Sequence, residues 1–351
     1  MGHRICRIPG DGVGHDVMEA ASLVLEALGL GIEWLDAEAG WCCWEKYGNT
    51  VPDATWKALE SSRCCLFGAI TSKPGIPGFK SAILQIRQRF DLYANVRPCK
   101  AYAGVPLNYR DDIDLVIFRE NTEDLYSGIE WKEMPEEMFK LHPGLERFRG
   151  QEIAASLRVV TRRGCRRIVK SAFEYARRHG LKSVAAVHKA NVIRETCGMF
   201  LEEARAVAKD YPDIELSEPN VDAMAMWLIK QPQIYKVIVT TNLFGDILSD
   251  EAAQLVGGLG FAASANLGDS YALFEPTHGS APKYAGQYKV NPMATLISAR
   301  MMLDWLGENE AAARLERAIA KTLADAKVRT YDLGGNDSTL DVAREVARNL
   351  G

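Results

Sequence analysis

The chain has 351 residues, 47% hydrophobic and 25% charged, the composition of a globular protein long enough for two domains. Its formal net charge of -4 excludes a general basic field for nucleic acid, and no apolar run reaches the roughly 20 residues of a membrane span. The eight cysteines form no CxxC pair, so we expect reduced, mostly buried thiols and no zinc site. These features predict a cytoplasmic protein without nucleic-acid or membrane partners.

The first predicted elements are a strand at residues 4–9 and a helix at 16–28, joined by a Gly-Asp-Gly-Val-Gly turn. This turn is similar to a dinucleotide-binding loop, and Glu33 and Asp36 follow at a suitable distance. Position 15, however, is His where that motif requires glycine, and Asp11 would repel a pyrophosphate. We therefore predict a structural turn that uses the positive φ open to glycine, and not a Rossmann fold.

Strand and helix signals alternate along the rest of the chain. Residues 183–188 and 236–241 are apolar and rich in β-branched side chains, and a helical pattern follows each run. This alternation predicts an α/β architecture. Residues 71–80 and 132–150 are predicted to be irregular, and the second segment is a candidate arm for gripping a partner subunit.

Three arginines, Arg87, Arg97 and Arg119, lie in segments that otherwise read as buried, and Arg119 directly follows the apolar run 114–118. A buried guanidinium requires an anion, and its planar fork matches a carboxylate. Together the three could hold a tricarboxylate. Each of them taken alone is more often a structural ion pair, so both interpretations stay open.

Asp246 and Asp250 lie four residues apart on a predicted helix and therefore share one face. Carboxylates in this arrangement suit Mg²⁺ or Mn²⁺, although a solvated acidic face is an equal alternative. Asp222 could add a third carboxylate. Lys189, between a strand and a helix, is a candidate base, and Tyr126 is a candidate acid; surface or interface polarity is the alternative for each.

Five ordered blocks resemble the β-decarboxylating dehydrogenases that act on isocitrate, homoisocitrate, 3-isopropylmalate or tartrate. The blocks are Asp91-Leu-Tyr-Ala-Asn-Val-Arg-Pro98, Arg119-Glu-Asn-Thr-Glu123, His188-Lys-Ala-Asn191, Thr241-Asn-Leu-Phe-Gly-Asp-Ile-Leu-Ser-Asp250 and His278-Gly-Ser-Ala-Pro282. The resemblance implies an α/β, two-domain, isopropylmalate-dehydrogenase-like fold that is not a Rossmann fold. One domain would comprise 1–100 plus 256–351 and bind the cofactor, and the other would be 101–255. A homodimer with a clasp at about 129–160 and shared active sites is also implied, with Lys189 and Asp222 supplied by the partner.

The resemblance also implies roles for individual residues. Tyr126 and Lys189 would be catalytic. The substrate would be bound by Ser81, Arg87, Arg97, Arg119, Tyr126, Lys189 and Asn191. Mg²⁺ or Mn²⁺ would be held by Asp222, Asp246 and Asp250. The nicotinamide cofactor would be bound by Thr71, Glu275, His278, Gly279, Ser280, Ala281, Lys283, Tyr284, Val290, Asn291 and Tyr331.

Substrate and cofactor choice follow from two short segments. Ser81 resembles isocitrate enzymes, but Ile83 stands where they usually carry Asn and is similar to some homoisocitrate enzymes. We favour isocitrate, with homoisocitrate, or both acids, as the alternative and a catalytically inactive regulatory subunit as a remote one. Lys283, Tyr284 and Tyr331 resemble the 2′-phosphate contacts of NADP-linked members and favour NADP over NAD; the departure is Gly335, where those enzymes carry a further Arg.

Overall fold

The computed structural model describes residues 2–73 and 75–351. The strands β1 to β12 are Arg4–Gly10, Glu33–Asp36, Cys64–Ala69, Ala94–Lys100, Asp114–Glu120, Glu130–Trp131, Ala155–Ser156, Ser183–Val187, Glu215–Ser217, Val237–Thr240, Ala263–Leu267 and Ala272–Pro276. The helices α1 to α11 are Gly14–Ala27, Trp41–Tyr47, Asp53–Ser61, Ala82–Arg89, Arg162–Arg178, Arg194–Ala208, Val221–Lys230, Asn242–Gln254, Met293–Leu306, Asn309–Asp325 and Thr339–Arg348. The predicted strands at 4–9, 183–188 and 236–241 and the helix at 16–28 are therefore confirmed within one or two residues at each end.

Ten of the strands form one mixed sheet in the order β2-β1-β3-β12-β11-β4-β5-β10-β8-β9. The first six of these strands come from residues 1–100 and 256–351, and the last four come from 101–255. The α/β, non-Rossmann fold is confirmed, because β4, β5 and β11 pair antiparallel at the centre of the sheet. The division into two domains with boundaries near 100 and 255 stays a prediction.

Alternation along β4 and β5 separates a polar face of the sheet from an apolar one. Val96 and Phe118, which lie opposite each other, belong to the largest hydrophobic core. Asn95 and Arg119, also opposite each other, point to the other face, as does Arg97 two residues along β4. The centre of the sheet therefore presents a cluster of buried polar side chains, Asn95, Arg97 and Arg119, on the face opposite Val96 and Phe118.

The Gly-Asp-Gly turn after β1 is structural, as predicted. Gly10 and Gly12 have φ of 80° and 56°, the left-handed region that glycine adopts readily. The Asp11 carboxylate accepts hydrogen bonds from the backbone N–H groups of Trp41, Cys42 and Thr71, at 2.8, 2.9 and 2.9 Å. Asp11 thus joins the turn to the start of α2 and to the segment after β3.

The predicted mid-chain excursion contains two 3₁₀ turns, Glu136–Lys140 and Pro143–Phe148, between the paired strands β6 and β7. It lies within the predicted clasp, and its grip on a partner stays a prediction. All eight cysteines are free, and only Cys42 is exposed. In the part of the chain that the structure describes, no helix combines the length and the apolar character that a bilayer crossing requires.

Candidate active site

Three buried arginines define the polar face of the sheet. Arg87 on α4, Arg97 on β4 and Arg119 at the end of β5 are 8%, 8% and 2% exposed. Arg97 Nη1 donates to Ser249 Oγ at 2.6 Å, and Arg119 Nε donates to the Asn242 side chain at 2.9 Å. The burial expected from the sequence is therefore observed for all three, and each guanidinium faces polar partners.

Helix α8 lies over these arginines and carries both acidic residues of the predicted pair. The Asp246 carboxylate accepts hydrogen bonds from the Arg119 guanidinium and from the Tyr126 hydroxyl. Asp250, one helical turn further, accepts from Arg97 Nη1 at 3.1 Å. Arg119 also lies over the Tyr126 ring, 4.8 Å from its centroid. The structure thus brings together the predicted substrate arginines, the predicted acid and two of the predicted metal ligands.

The surroundings of Asp246 and Tyr126 shift the pKa values of these two titratable groups in opposite directions. Burial alone would raise the pKa of Asp246, but Arg119, the Tyr126 hydroxyl and Arg97 outweigh it and lower the pKa. Burial and the hydrogen bond to Asp246 raise the pKa of Tyr126. Asp246 is therefore ionised and Tyr126 protonated at neutral pH.

Gly245 lets α8 approach Arg119. A Cβ at this position would lie 2.6 Å from both Cβ and Cγ of Arg119, closer than side chains pack. We expect Gly245→Ala to push Asp246 away from Arg119, to cost roughly 1–3 kcal/mol of stability, and to lower kcat. Denaturant unfolding and kinetics measure both effects. The half-buried helix glycine Gly198, whose Cβ would have no atom within 4 Å, is the matched control, and equal effects of the two alanine variants would contradict this account.

Lys189 and Asp222 lie beside each other, apart from the cluster of arginines and acidic residues around α8. Lys189 follows β8, Asp222 lies in the first turn of α7, and their side chains form an ion pair. Across residues 2–73 and 75–351, no hydrogen bond or ion pair joins either of them to Tyr126, Asp246 or Asp250. Their predicted contribution to a partner's site remains a prediction.

Asp222, Asp246 and Asp250 are the predicted ligands of a divalent cation. Within the described residues, no three His, Cys, Asp or Glu side chains form a potential metal cluster, since Asp222 lies with Lys189. Asp246 and Asp250 nevertheless place carboxylate oxygens on one helix face, and Arg97 lies within 3.5 Å of the first and 3.1 Å of the second. Hard oxygen donors of this kind fit Mg²⁺ or Mn²⁺, and a third carboxylate has to come from outside this cluster.

Several residues predicted to bind the nicotinamide cofactor lie around the Gly-Asp-Gly turn and the end of β12. Glu275 accepts a hydrogen bond from Arg87 Nη2 at 2.9 Å, so a predicted cofactor residue and a predicted substrate residue touch. Thr71 Oγ1 and Ser280 Oγ lie 2.5 Å apart, and the Ser280 carbonyl accepts from Val13 N–H. Burial lowers the pKa of His278, which keeps its ring neutral at pH 7.

The loop after β12 approaches an aromatic surface formed by Tyr284 and Tyr331, whose ring centroids lie 6.0 Å apart. Lys283 Nζ lies 4.7 Å from the centroid of the Tyr284 ring. A cavity of about 280 Å³ beside the two tyrosines is also lined by Lys289, Asn336 and Asp337, which sequence reasoning missed. A Cβ at Gly335 would lie 2.0 Å from the Arg329 carbonyl oxygen, so this backbone leaves no room for a side chain at position 335.

The remaining predicted residues are more dispersed. Ser81 precedes α4, and its hydroxyl makes no capping hydrogen bond. Asn191 and Gly279 are exposed in loops, and Ala281 adopts a left-handed conformation with φ of 35°. The Val290 carbonyl accepts from Thr339 Oγ1 at 2.6 Å, and Asn291 donates to Asp332 at 3.0 Å.

The sequence analysis also missed four neutral polar residues that hydrogen-bond to the charged side chains of the site. Asn95, Asn242, Ser249 and Asn266 hydrogen-bond directly to the arginines or to Glu275. Asn95 could have been found, because it lies two residues before Arg97 on the same strand face, and Asn242 and Ser249 lie in the Thr241–Asp250 block. Asn266 had no comparable local signal.

Buried arginines that face carboxylates on a helix, beside a phenol hydroxyl, can bind a carboxylate anion and place a proton donor next to it. A family model described as isocitrate/isopropylmalate dehydrogenase matches residues 4–346, and the chain belongs to this family of decarboxylating hydroxyacid dehydrogenases. Family members generally use NAD(P) and a divalent metal, act on small carboxylates and commonly form dimers.

Individual relatives carry different substrate names. The chain is 46% identical to a 3-isopropylmalate dehydrogenase of Methanothermobacter thermautotrophicus, covering 99% of this chain and 98% of the relative. It is also 46% identical to an isocitrate/homoisocitrate dehydrogenase of Thermus thermophilus, covering 97% and 96%. The structure of isocitrate dehydrogenase from Methylococcus capsulatus superposes with a TM-score of 0.91 at 43% identity, covering 99% of each chain.

Proposed function

We propose that this enzyme oxidises and decarboxylates isocitrate to 2-oxoglutarate and reduces NADP. The observation that carries the proposal is the convergence of Arg87, Arg97 and Arg119 on one buried polar face below α8. Three guanidinium groups match the three carboxylates of the substrate in number and charge. The Nε of Arg87 is buried and has no partner among the described residues, so a donor remains for a ligand.

Each group of the site has a task in this reaction. Asp246 and Asp250, with Asp222 of a second subunit, would hold Mg²⁺ or Mn²⁺. Held there, the cation would supply a Lewis acid beside the C2 oxygen of the substrate. Lys189 of the partner subunit would take the hydroxyl proton during oxidation, and a bound nicotinamide would supply the hydride acceptor. Tyr126, whose raised pKa keeps its proton, returns a proton to C3.

We also propose a homodimer with shared active sites, held in part by the clasp at 129–160. Exposed apolar side chains on α7 and α8 support this assembly: Met226, Ile229 and Ile247 are 52%, 54% and 59% exposed. These helices carry Asp222, Asp246 and Asp250, so an interface there would bring a partner's residues to the site. The free cysteines support a reducing compartment, the cytoplasm.

Isocitrate is favoured over homoisocitrate by Ser81, whose hydroxyl makes no capping hydrogen bond at the start of α4. It is also favoured by the segment Arg119–Glu130, whose sequence resembles that of isocitrate enzymes. Ile83 favours homoisocitrate, because some homoisocitrate enzymes are similar at this position. Measured kcat/KM for isocitrate, homoisocitrate and 3-isopropylmalate, each with NADP and NAD, tests the assignment. A higher kcat/KM with homoisocitrate would overturn it. Activity lost to a chelator and restored by Mg²⁺ would exclude the inactive regulatory subunit.

NADP is favoured by Lys283, beside the tyrosine surface, where its charge can meet a 2′-phosphate. We expect Lys283→Asp to lower the ratio of kcat/KM for NADP to that for NAD by about 10-fold or more, because a charge-assisted hydrogen bond is replaced by repulsion. Lys209→Asp, at the exposed C-terminal end of α6, makes the same charge change outside this surface. An unchanged ratio in Lys283→Asp would contradict the NADP assignment.

A further inference from the structure

Two fully buried amides form a bridge beneath the site. Asn95 on β4 and Asn266 on β11 are each 0% exposed and lie directly opposite each other in the sheet. Asn95 Nδ2 donates to Asn266 Oδ1 at 2.8 Å. Burying an amide is costly unless it is hydrogen-bonded, so two bonded amides in the middle of a sheet constitute a specific, built arrangement.

The two ends of this bridge reach different halves of the site. Asn266 Nδ2 donates to Glu275 Oε1 at 2.8 Å, and the same oxygen accepts from Arg87 at 2.9 Å. At the other end, Asn95 Oδ1 accepts from Arg97 Nε at 2.9 Å. A continuous buried chain of hydrogen bonds therefore runs from Glu275, through Asn266 and Asn95, to Arg97.

The neighbouring donors and acceptors fix the orientation of the Asn266 side-chain amide. Asn266 Oδ1 also accepts from Asn121 Nδ2 at 3.0 Å, so the oxygen of Asn266 faces two amide donors. Its Nδ2 is left to face the carboxylate of Glu275. Rotating the amide of Asn266 by half a turn would place its donors against two donors and its acceptor against a carboxylate. The bridge has one satisfied arrangement, and displacement of either end disturbs the other.

We propose that Asn266 and Asn95 are positioning residues that couple dinucleotide binding at Glu275 to carboxylate binding at Arg97. This proposal rests on the proposed roles of Glu275, Arg87 and Arg97. When one ligand orders its end of the chain, the other end is ordered too, so the second ligand binds more tightly. Such coupling is reciprocal and typically changes affinity by about 5- to 150-fold.

The test is a calorimetric titration of the full-length enzyme with isocitrate and Mg²⁺, with and without saturating NADPH, which prevents turnover. We expect NADPH to tighten isocitrate binding by at least about 5-fold in the wild type and by less than about 2-fold in Asn266→Leu. Leucine has the same number of side-chain heavy atoms and removes the hydrogen bonds to Asn95, Asn121 and Glu275. Wild-type coupling near 1, or unchanged coupling in the variant, would overturn the proposal.

Matched variants separate coupling from stability. Asn108→Leu removes an amide that donates to the Tyr102 carbonyl and to Asp111 outside the site, and should leave the coupling unchanged. Asn95→Asp keeps the acceptor for Arg97 and removes the donor to Asn266; it should abolish coupling, and it serves as the test if Asn266→Leu does not fold. A wild type that prefers homoisocitrate would contradict the substrate assignment alone, and the titration is then run with that acid.

Discussion

Asp246→Asn is expected to lower kcat by at least about 10²-fold, the usual effect of removing one preorganised charge from an active site. Asp246 accepts from both Arg119 and Tyr126 and is a proposed metal ligand, so the amide changes three interactions at once. The concentration of Mg²⁺ needed for half-maximal activity should rise as well. Steady-state kinetics over a Mg²⁺ series measures both quantities.

The same variant has a predictable effect on stability. The pKa of Asp246 is lower in the folded chain than in the unfolded chain. Its charge therefore contributes stability above the unfolded pKa, and this contribution is lost as the pH falls through the folded pKa. Urea unfolding should show a stability difference between wild type and Asp246→Asn that is largest near neutral pH and shrinks in acid.

Glu251→Gln is the matched control, because Glu251 is the acidic residue that follows Asp250 on the same helix and it has no role in the proposed site. It should keep wild-type kcat and Mg²⁺ dependence. If Asp246→Asn behaved like this control, neither the metal role of Asp246 nor its pairing with Tyr126 would be tenable.

A mixture of two inactive variants, Asp246→Asn and Lys189→Ala, is expected to regain about a quarter of wild-type activity after joint refolding. If Lys189 serves the partner's site, half of the dimers formed at random are mixed. Each mixed dimer has one site with both residues intact and one site with neither. Activity per mole of chain, measured before and after refolding together, gives the recovery.

The pairing of Asp246→Asn with Asp250→Asn is the control for this experiment. Both residues lie on α8 of one chain, so every mixed dimer has a defect in each site and no activity should return. No recovery in the first mixture, despite mixed dimers in native mass spectrometry, would show that Lys189 acts within its own chain. Recovery in the control would show that Asp246 and Asp250 do not serve the same site.

Local sequence patterns determined the elements of this fold. The helical spacing was enough to place Asp246 and Asp250 on one helix face, and the apolar surroundings of Arg97 and Arg119 were enough to predict their burial. The faulty glycine spacing after β1 correctly excluded a Rossmann fold, because His15 stands where the motif requires glycine and the Asp11 carboxylate would repel a pyrophosphate. These conclusions depend on neighbours within a few residues, and such neighbours are visible in a single sequence.

Pairing between distant segments was decided only by the tertiary structure. Asn266 lies far along the chain from Asn95 and Asn121, and only the insertion of β11 beside β4 makes them partners. The ion pair between Arg87 and Glu275 and the cavity that adds Lys289 to the tyrosine surface have the same origin. The sequence by itself determined which charged groups exist and which local face each one occupies. Their buried hydrogen-bond partners depend on strand order and register, which are properties of the assembled sheet.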